Sequence, residues 1–307
     1  MKKNAAVALL IAFTLLAFCG CAAQDVGQQV NILTTFYPMY IFTLNVADGI
    51  DGVNVQNMAD QNVGCLHDYQ LQTRDMVALE KADVLIINGG GMEQFMDKVI
   101  SMRGDLPVVT ACEGIDMIPL EGHAHEHEEE HAEEVCDEVN AHVWLDPRLA
   151  IKQIENIAEG LCAVDPTHAE AYRANAADYA LRISSLYQEM AEQLKPVVGK
   201  QIITFHEAFP YFAGAFGIEI AGVIEHDQGE EPGTREIART CDMVKELGIK
   251  ALFAEPQYPQ KAAETIARET GAGLYRLDPI VSGDSGKESY EMIMRENARV
   301  LLEALAQ

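Results

Sequence analysis

Two stretches of alternating apolar and amphipathic segments run along this chain, one in each half. Short apolar runs predict buried strands, and segments with apolar residues three and four apart predict amphipathic helices. The predicted strands cover residues 31–36, 53–59, 83–88, 107–110, 202–205, 218–224, 251–254 and 273–276. The predicted helices cover residues 38–47, 72–81, 92–102, 148–162, 208–216, 235–247, 260–270 and 287–305. This alternation predicts βα units with a parallel sheet in each half.

One unusually long helix is predicted between the two halves. Asp165 is placed to cap its start, Pro166 suits the first helical position, and Pro196 stops it. Its apolar positions form one stripe at spacings of three and four: Tyr172, Ala176, Tyr179, Ile183, Leu186, Met190 and Leu194. About thirty residues at roughly 1.5 Å each give a rod on the order of 45 Å long. We therefore expect a stiff connection between the halves.

The fold class that follows is α/β, with two lobes that each contain a parallel sheet flanked by helices. A chain of 307 residues is long enough for two such lobes. We expect an N-terminal lobe at 21–164, a linking helix at 165–196 and a C-terminal lobe at 197–307.

The first twenty residues have the pattern of a secretory signal peptide. Two lysines precede an apolar run at 5–18, which is too short for a typical transmembrane helix. Cys21 follows Gly20 at the end of this run and resembles a bacterial lipoprotein processing site, so residues 1–20 are the predicted signal peptide. Cys21 would then be lipidated and anchor the chain to the membrane. Cys19 could serve as the processing site in its place, and ordinary cleavage with release of the chain is also open.

An acidic, histidine-rich segment at 121–138 contains four histidines, one cysteine and nine of the 48 acidic residues. Imidazole is a preferred ligand of zinc, copper and nickel, and nearby carboxylates attract cations. A segment with so few apolar residues predicts a mobile loop, so we expect an auxiliary metal-binding loop and a selective site elsewhere. The alternative is a solvated acidic loop with incidental histidines. The four histidines are His123, His125, His127 and His131.

The net charge of −26 favours cations as partners and disfavours nucleic acid and anionic surfaces. Five of the seven cysteines lie beyond residue 21, and none of them form a Cys-x-x-Cys pair. This odd number disfavours a disulfide framework. Cys162 and Cys241 lie on apolar helix faces and are predicted core residues, while the roles of Cys65 and Cys136 stay open.

Four metal-ligating side chains fall at predicted strand ends or at the entrances of helices. In open α/β sheets, ligands bind beyond the carboxyl ends of the strands. His206 directly follows a predicted strand, Asp278 lies at the end of another, and His67 and His142 precede helices. Three imidazoles and one carboxylate would form a tetrahedral site suited to zinc. Each histidine taken alone is as well explained by a structural role.

Several sequence motifs are distributed from residue 31 nearly to the carboxyl end. They are T-T-F-Y-P-M-Y (34–40), L-H-D-Y-Q-L (66–71), A-D-V-L-I-I-N-G-G-G-M-E (82–93), A-H-V-W-L-D-P (141–147), T-F-H-E-A-F-P-Y-F (204–212), L-F-A-E-P-Q (252–257) and L-D-P (277–279). Together they resemble the metal-binding lipoproteins of bacterial ABC importers for zinc and manganese. The acidic histidine-rich insertion is typical of the zinc branch.

The resemblance implies two lobes joined by a rigid helix, with one metal ion in the cleft between them. The ligands of the family fall on His67, His142 and His206, with a carboxylate available from Asp278. The third position looks like glutamate in the manganese branch, so a histidine there favours zinc over manganese. Two further carboxylates match family positions near the cleft and are expected to orient imidazole N–H groups. They are Glu207 and Glu255.

The function implied by the resemblance is that of a lipid-anchored extracytoplasmic zinc receptor, expected as a monomer, that serves an ABC permease and catalyses no reaction. A zinc hydrolase with Glu207 as general base is a rival hypothesis; a fourth ligand such as Asp278 would close the open position that such an enzyme needs. A metal-dependent adhesin is a second rival, and a manganese or iron receptor of the same family is a third.

Overall fold

The computed structural model describes residues 29–59, 69–120, 139–224, 232–257 and 260–306. Strands and helices alternate through the first half of the chain. The strands are β1, Val30–Thr34; β2, Val53–Asn57; β3, Val84–Ile87; and β4, Val108–Thr110. The helices are α1, Tyr37–Val46; α2, Thr73–Lys81; α3, Asp97–Met102; and α4, Pro147–Val164.

The second half repeats this alternation after the long helix α5, Ala169–Gln193. Its strands are β5, Gln201–Thr204; β6, Glu219–Val223; β7, Ala251–Ala254; and β8, Gly273–Arg276. Its helices are α6, Pro210–Phe216; α7, Thr234–Glu246; α8, Lys261–Thr270; and α9, Ser289–Leu305. None of the helices within the described ranges is both long enough and apolar enough to cross a bilayer.

Both sheets are parallel and have the same strand order, β2-β1-β3-β4 and β6-β5-β7-β8. The chain leaves β1 towards one side of the first sheet and then returns to its other side, and it does the same at β5. Ligands of open α/β sheets bind beyond the carboxyl ends of the strands at such a switch point. The predicted fold of two helix-flanked parallel sheets joined by a long helix is confirmed.

The core of the protein is continuous through both halves. Ile32 of β1 and Ile202 of β5 belong to one apolar core that also contains the buried face of α5. The next residue of each strand points to the opposite face of its sheet, as the pleat requires. There Leu33 packs in a cluster with α2 and α3, and Ile203 packs in a cluster with α7 and α8.

The apolar stripe predicted for the long helix is buried along its whole length. The predicted start is wrong in one respect, because Asp165 makes no side-chain capping bond. Its carboxylate instead accepts hydrogen bonds from the ring Nδ1 of His168 at 2.6 Å and from the hydroxyl of Tyr172 at 2.9 Å. A short 3-10 turn, Pro166–His168, separates α4 from α5. Asp165 therefore fixes the entry to the helix through side chains.

Hydrogen bonds also join the two halves directly. The indole N–H of Trp144 donates to the carbonyl of Pro279 at 2.8 Å, and the hydroxyl of Tyr37 donates to the carbonyl of Asp284 at 2.6 Å. A Cβ at Gly283 would lie 2.5 Å from the Tyr37 hydroxyl, and the φ of this residue is 156°. Only glycine allows the backbone to approach so closely here.

The buried carboxylate of Glu93 holds the turn that follows β3. One of its oxygens accepts from the hydroxyl of Thr35 at 2.8 Å and from the N–H of Asn88 at 2.7 Å, and the other accepts from the N–H of Gly89 at 3.0 Å. Burial raises the pKa of Glu93 to about 7, because these donors offset only part of the cost of desolvating the charge.

Replacing Glu93 by glutamine should flatten the pH dependence of stability. A carboxyl whose pKa rises on folding stabilises the fold fully below its unfolded pKa, here 4.5, and this stabilisation is lost as the pH rises through about 7. Between about pH 4.5 and 8, the free energy of unfolding of the wild type should fall by on the order of 3 kcal/mol relative to Glu93→Gln. Urea unfolding across this range measures the difference, with exposed Glu113→Gln as control. Parallel curves for the wild type and Glu93→Gln would contradict the raised pKa.

Candidate metal centre

His142 lies at the start of a short helical turn, Val143–Leu145, which leads into α4. Its side chain is buried, with 3% exposed. The side-chain oxygen of Asn140 accepts a hydrogen bond from the backbone N–H of His142 at 3.0 Å and lies 3.0 Å from Nδ1 of the ring. The ring of Trp144 packs 5.1 Å away, centroid to centroid. These contacts hold the imidazole at its Nδ1 edge and against one neighbouring ring.

His206 follows β5 at the carboxyl end of the strand and is half-buried. Its Nε2 lies 3.3 Å from Nε2 of His142, with the ring planes at 79° to each other. Two nitrogens that bind one tetrahedral zinc ion at about 2.0–2.1 Å each lie about 3.3 Å apart. The observed separation therefore fits two ligands of a single ion, and the two imidazoles come from different halves of the chain.

Asp278 follows β8 in a turn that is fixed at several points. Its carboxylate accepts from the N–H of Ile280 at 2.8 Å, and its own N–H donates to the side chain of Asn297 at 2.9 Å. Burial raises the pKa of the Asp278 carboxyl, while the bonds from Ile280 and Gln257 act in the opposite direction. Ile280 has a φ of 61°, a strained value for a β-branched residue. The turn is attached to the first half through the bond from Trp144 to Pro279.

The two carboxylates predicted to orient imidazoles lie at the carboxyl ends of β5 and β7. Glu207 is half-buried, and its backbone carbonyl accepts from the Asn140 amide at 2.6 Å. Both Glu207 and Asn140 line a cavity of about 500 Å³ between the 118–120 segment and α6. Glu255 is almost fully buried, with 1% exposed. Their role in orienting imidazoles stays a prediction.

Of the four predicted ligands, the structure brings His142 and His206 together. Across the described ranges, no group of three or more imidazoles, thiols and carboxylates is placed to hold one ion. Several residues singled out from the sequence lie outside the described residues: His67, His123, His125, His127, His131, Cys21, Cys65 and Cys136. The three described cysteines, Cys112, Cys162 and Cys241, are buried free thiols.

Sequence reasoning assigned no role to Asn140 or Trp144, although both contact His142. Trp144 is the single tryptophan of the chain and lies two residues after His142, which is a signal of a special position. Asn140 lies two residues before His142 and next to the acidic segment. The sequence around it does not distinguish a buried, functional asparagine from a solvated one in a loop. Its contact with Glu207 joins segments 67 residues apart in the sequence.

The comparisons with known proteins agree with this architecture. Residues 32–304 match the family model described as zinc-uptake complex component A, periplasmic. The high-affinity zinc uptake system protein ZnuA of Brucella suis biovar 1 (strain 1330) is 31% identical over 339 residues, with 100% of both chains covered. The manganese-binding lipoprotein MntA of Halalkalibacterium halodurans is 28% identical over 317 residues, again with 100% of both covered.

Among solved structures, the solute-binding protein FpvC of Pseudomonas aeruginosa in complex with Mn2+ superposes with a TM-score of 0.80 at 28% identity. This match covers 91% of the present chain and 99% of FpvC. The family resemblance found in the sequence motifs is confirmed, and the chain belongs to the family of the periplasmic zinc-uptake complex component A.

Proposed function

We propose that this protein is an extracytoplasmic receptor that binds zinc and delivers it to the permease of an ABC importer. The observation that carries the proposal is the pair of imidazoles from the two halves of the chain, with their Nε2 atoms 3.3 Å apart. Family membership and the zinc-uptake name of a relative that matches along the whole chain support it. The relatives are named for uptake and metal binding, which favours a binding role over catalysis.

The ligand set that we propose is His67, His142, His206 and Asp278. His142 and His206 are the two imidazoles whose Nε2 atoms lie close together. Asp278 follows β8, which belongs to the same sheet as β5, the strand that His206 follows. Its turn is tied to Trp144, two residues from His142. A carboxylate whose pKa is raised by burial gains from a nearby dication, which restores the charged form.

Zinc is the proposed cargo because the donors are mainly imidazole nitrogens. Manganese prefers harder oxygen ligands, and a given protein site generally binds zinc more tightly than manganese. MntA is named a manganese-binding lipoprotein and FpvC was solved with Mn2+, so the family includes both chemistries. The imidazole nitrogen of His206, as the third nitrogen ligand of the proposed set, is the feature of this chain that favours zinc over manganese.

The remaining assignments rest on the sequence. We propose a signal peptide at residues 1–20, a lipid anchor on Cys21, and a monomer with lobes at 21–164 and 197–307 joined by the helix region 165–196. We also propose that the histidines of the 121–138 segment form auxiliary, weaker metal sites. A lipid-anchored chain would stay close to the permease and gather ions near the membrane.

Replacing His206 or His142 by alanine should weaken zinc binding while the fold is kept. Each change removes one ligand, and loss of even an outer hydrogen-bond partner of a ligand costs about 10- to 100-fold, so a reduction of more than about 100-fold in affinity is expected. Competition titration against a chelator measures the affinity, and thermal unfolding of the metal-free protein checks the fold. His168→Ala is the matched control, because His168 pairs with Asp165 at the start of α5. Wild-type zinc affinity in both variants would show that His142 and His206 are not zinc ligands.

Replacing His206 by glutamate should narrow the preference for zinc over manganese. The change exchanges a nitrogen donor for oxygen, but the intrinsic order still favours zinc, so the ratio should shift without reversing. Paired competition titrations with the two metals give the ratio. His206→Gln serves as control, because it supplies oxygen without the charge. An unchanged ratio in both variants would mean that the geometry of the site, and not the donor type, sets the choice.

Deleting residues 122–134 should remove additional zinc equivalents and leave the tightest one nearly unchanged. A segment with so few apolar residues is expected to lose conformational entropy when it closes around an ion, which keeps its sites weak. These equivalents need neutral imidazoles, so in the wild type they should be lost first as the pH falls through about 6.5. A calorimetric titration counts them, and glutamine at all four loop histidines provides a length-matched control. Loss of the tight equivalent on deletion would instead place a loop histidine among the primary ligands, in place of Asp278.

A further inference from the structure

Asn140 makes an unusual set of contacts for a residue at the edge of the metal centre. Its side-chain oxygen lies 3.0 Å from Nδ1 of His142, and its side-chain nitrogen donates to the backbone carbonyl of Glu207 at 2.6 Å. The residue is buried, with 2% exposed. One amide thus contacts the ligand of one half of the chain and the backbone beside the ligand of the other half.

The contact with Glu207 fixes which end of the amide faces the imidazole. A backbone carbonyl can only accept, so the NH2 group of Asn140 must point to Glu207 and its oxygen must point to His142. An amide oxygen accepts and never donates, so Nδ1 of His142 carries the ring proton. In the neutral imidazole, Nε2 is then the unprotonated nitrogen, and Nε2 is the atom that lies 3.3 Å from His206.

Asn140 is itself held in place by the second half of the chain. The hydroxyl of Tyr211, on α6, donates to the backbone carbonyl of Asn140 at 2.7 Å and accepts from the N–H of Ile118 at 2.9 Å. The N–H of Asn140 donates to the carbonyl of Ile118 at 2.8 Å. The backbone N–H and carbonyl of Asn140 and both ends of its side-chain amide therefore all form hydrogen bonds. The two partners from the second half of the chain are Tyr211 in α6 and the Glu207 carbonyl just after β5.

We propose that Asn140 is the positioning residue of the metal centre. It holds His142 in the tautomer that presents Nε2, and it links the two halves so that both imidazoles keep the separation of metal ligands before an ion arrives. The proposal deepens the proposed function and rests on it for the role of the two histidines. The tautomer itself belongs to the metal-free protein, so that part can be tested without any metal.

Two substitutions separate the two contacts of the amide. Asn140→Ala removes both the acceptor for Nδ1–H and the donor to Glu207. Asn140→Asp keeps an acceptor for Nδ1–H but cannot donate to the Glu207 carbonyl. The matched control is Asn156→Ala, because the Asn156 amide also ties backbone segments, donating to the carbonyls of Ala111 at 2.8 Å and Glu113 at 2.9 Å, but does not contact either histidine.

The tautomer is read from the 15N chemical shifts of the His142 ring in metal-free protein at a pH of about 8. We expect a single Nδ1–H form in the wild type, Asn140→Asp and Asn156→Ala, and a mixture of tautomers in Asn140→Ala. Zinc affinity, measured by chelator competition, should fall about 10- to 100-fold in Asn140→Ala, which is the usual effect of losing such a partner of a ligating histidine. Asn140→Asp should recover affinity to within about tenfold of the wild type, and Asn156→Ala should match it.

A single Nδ1–H tautomer in Asn140→Ala would overturn the proposal, and so would wild-type zinc affinity in that variant. A mixture of tautomers in Asn140→Asp would overturn it as well, because the acceptor is still present there. If the wild-type protein binds no zinc while the tautomers behave as expected, the proposed function fails and the positioning role of Asn140 stands. Circular dichroism and thermal unfolding of each metal-free variant ensure that only folded proteins are compared.

Discussion

The relative position of the two halves of the chain is the constraint on which the proposed metal centre depends, because each half contributes one imidazole of the pair. A nitrogen separation of 3.3 Å leaves little tolerance, since a displacement of about 1 Å takes one nitrogen out of bonding distance of a shared ion. Trp144 lies at this junction, fully buried, with its indole N–H bonded to Pro279 and its carbonyl accepting from Tyr290. The large indole buries apolar surface at this junction, and the hydrogen bonds of Trp144 with Pro279 and Tyr290 fix the orientation of the two halves.

A second attachment involves the long helix. Arg182, on α5, bonds to Glu291 of α9 and to Asn45 of α1, and its guanidinium lies 4.5 Å above the ring of Tyr179. Replacing Arg182 would leave the carboxylate of Glu291, only 6% exposed, without this ion pair, and such a loss costs more than the pair itself contributes to stability. Asn45 also donates to the backbone of Lys287 at 2.9 Å. Together with the continuous core, these bonds make the connection between the halves a stiff one.

The parts of the structure set by periodicity were predictable from sequence, and the parts set by individual hydrogen bonds were not. The stripe from Tyr172 to Leu194 indicates one buried helix face whatever packs against it, and parallel strands follow from βα alternation. Placing His206 at a strand end needed only the apolar run before it. Asp165 shows the limit: the sequence marks it as a helix cap, but whether it bonds to backbone N–H or to His168 and Tyr172 depends on local geometry.

Asn140 shows the same limit at the metal centre. Nothing in its neighbours indicates that it contacts Glu207, because the approach of two segments so far apart in sequence follows from the packing of the halves. The role of Asp278 lies between these cases. Its position after β8 was predictable, but the turn that holds its carboxylate depends on a strained backbone at Ile280 and on Asn297 in α9. Patterns indicate which residue types reach the site, while packing decides how they are oriented.

Metal choice in this family cannot lie in the fold. FpvC, solved with Mn2+, superposes on this chain with a TM-score of 0.80, and the chain equally matches a protein named for zinc uptake along its whole length. One fold is therefore shared by proteins named for or solved with different metals, which directs attention to the side chains at the site. Nitrogen donors raise affinity for copper and nickel as well as for zinc, so donor type alone does not select zinc among them. Selection among these metals also needs fixed ligand spacing, because a rigid tetrahedral arrangement of donors would penalise ions that prefer square-planar or octahedral coordination.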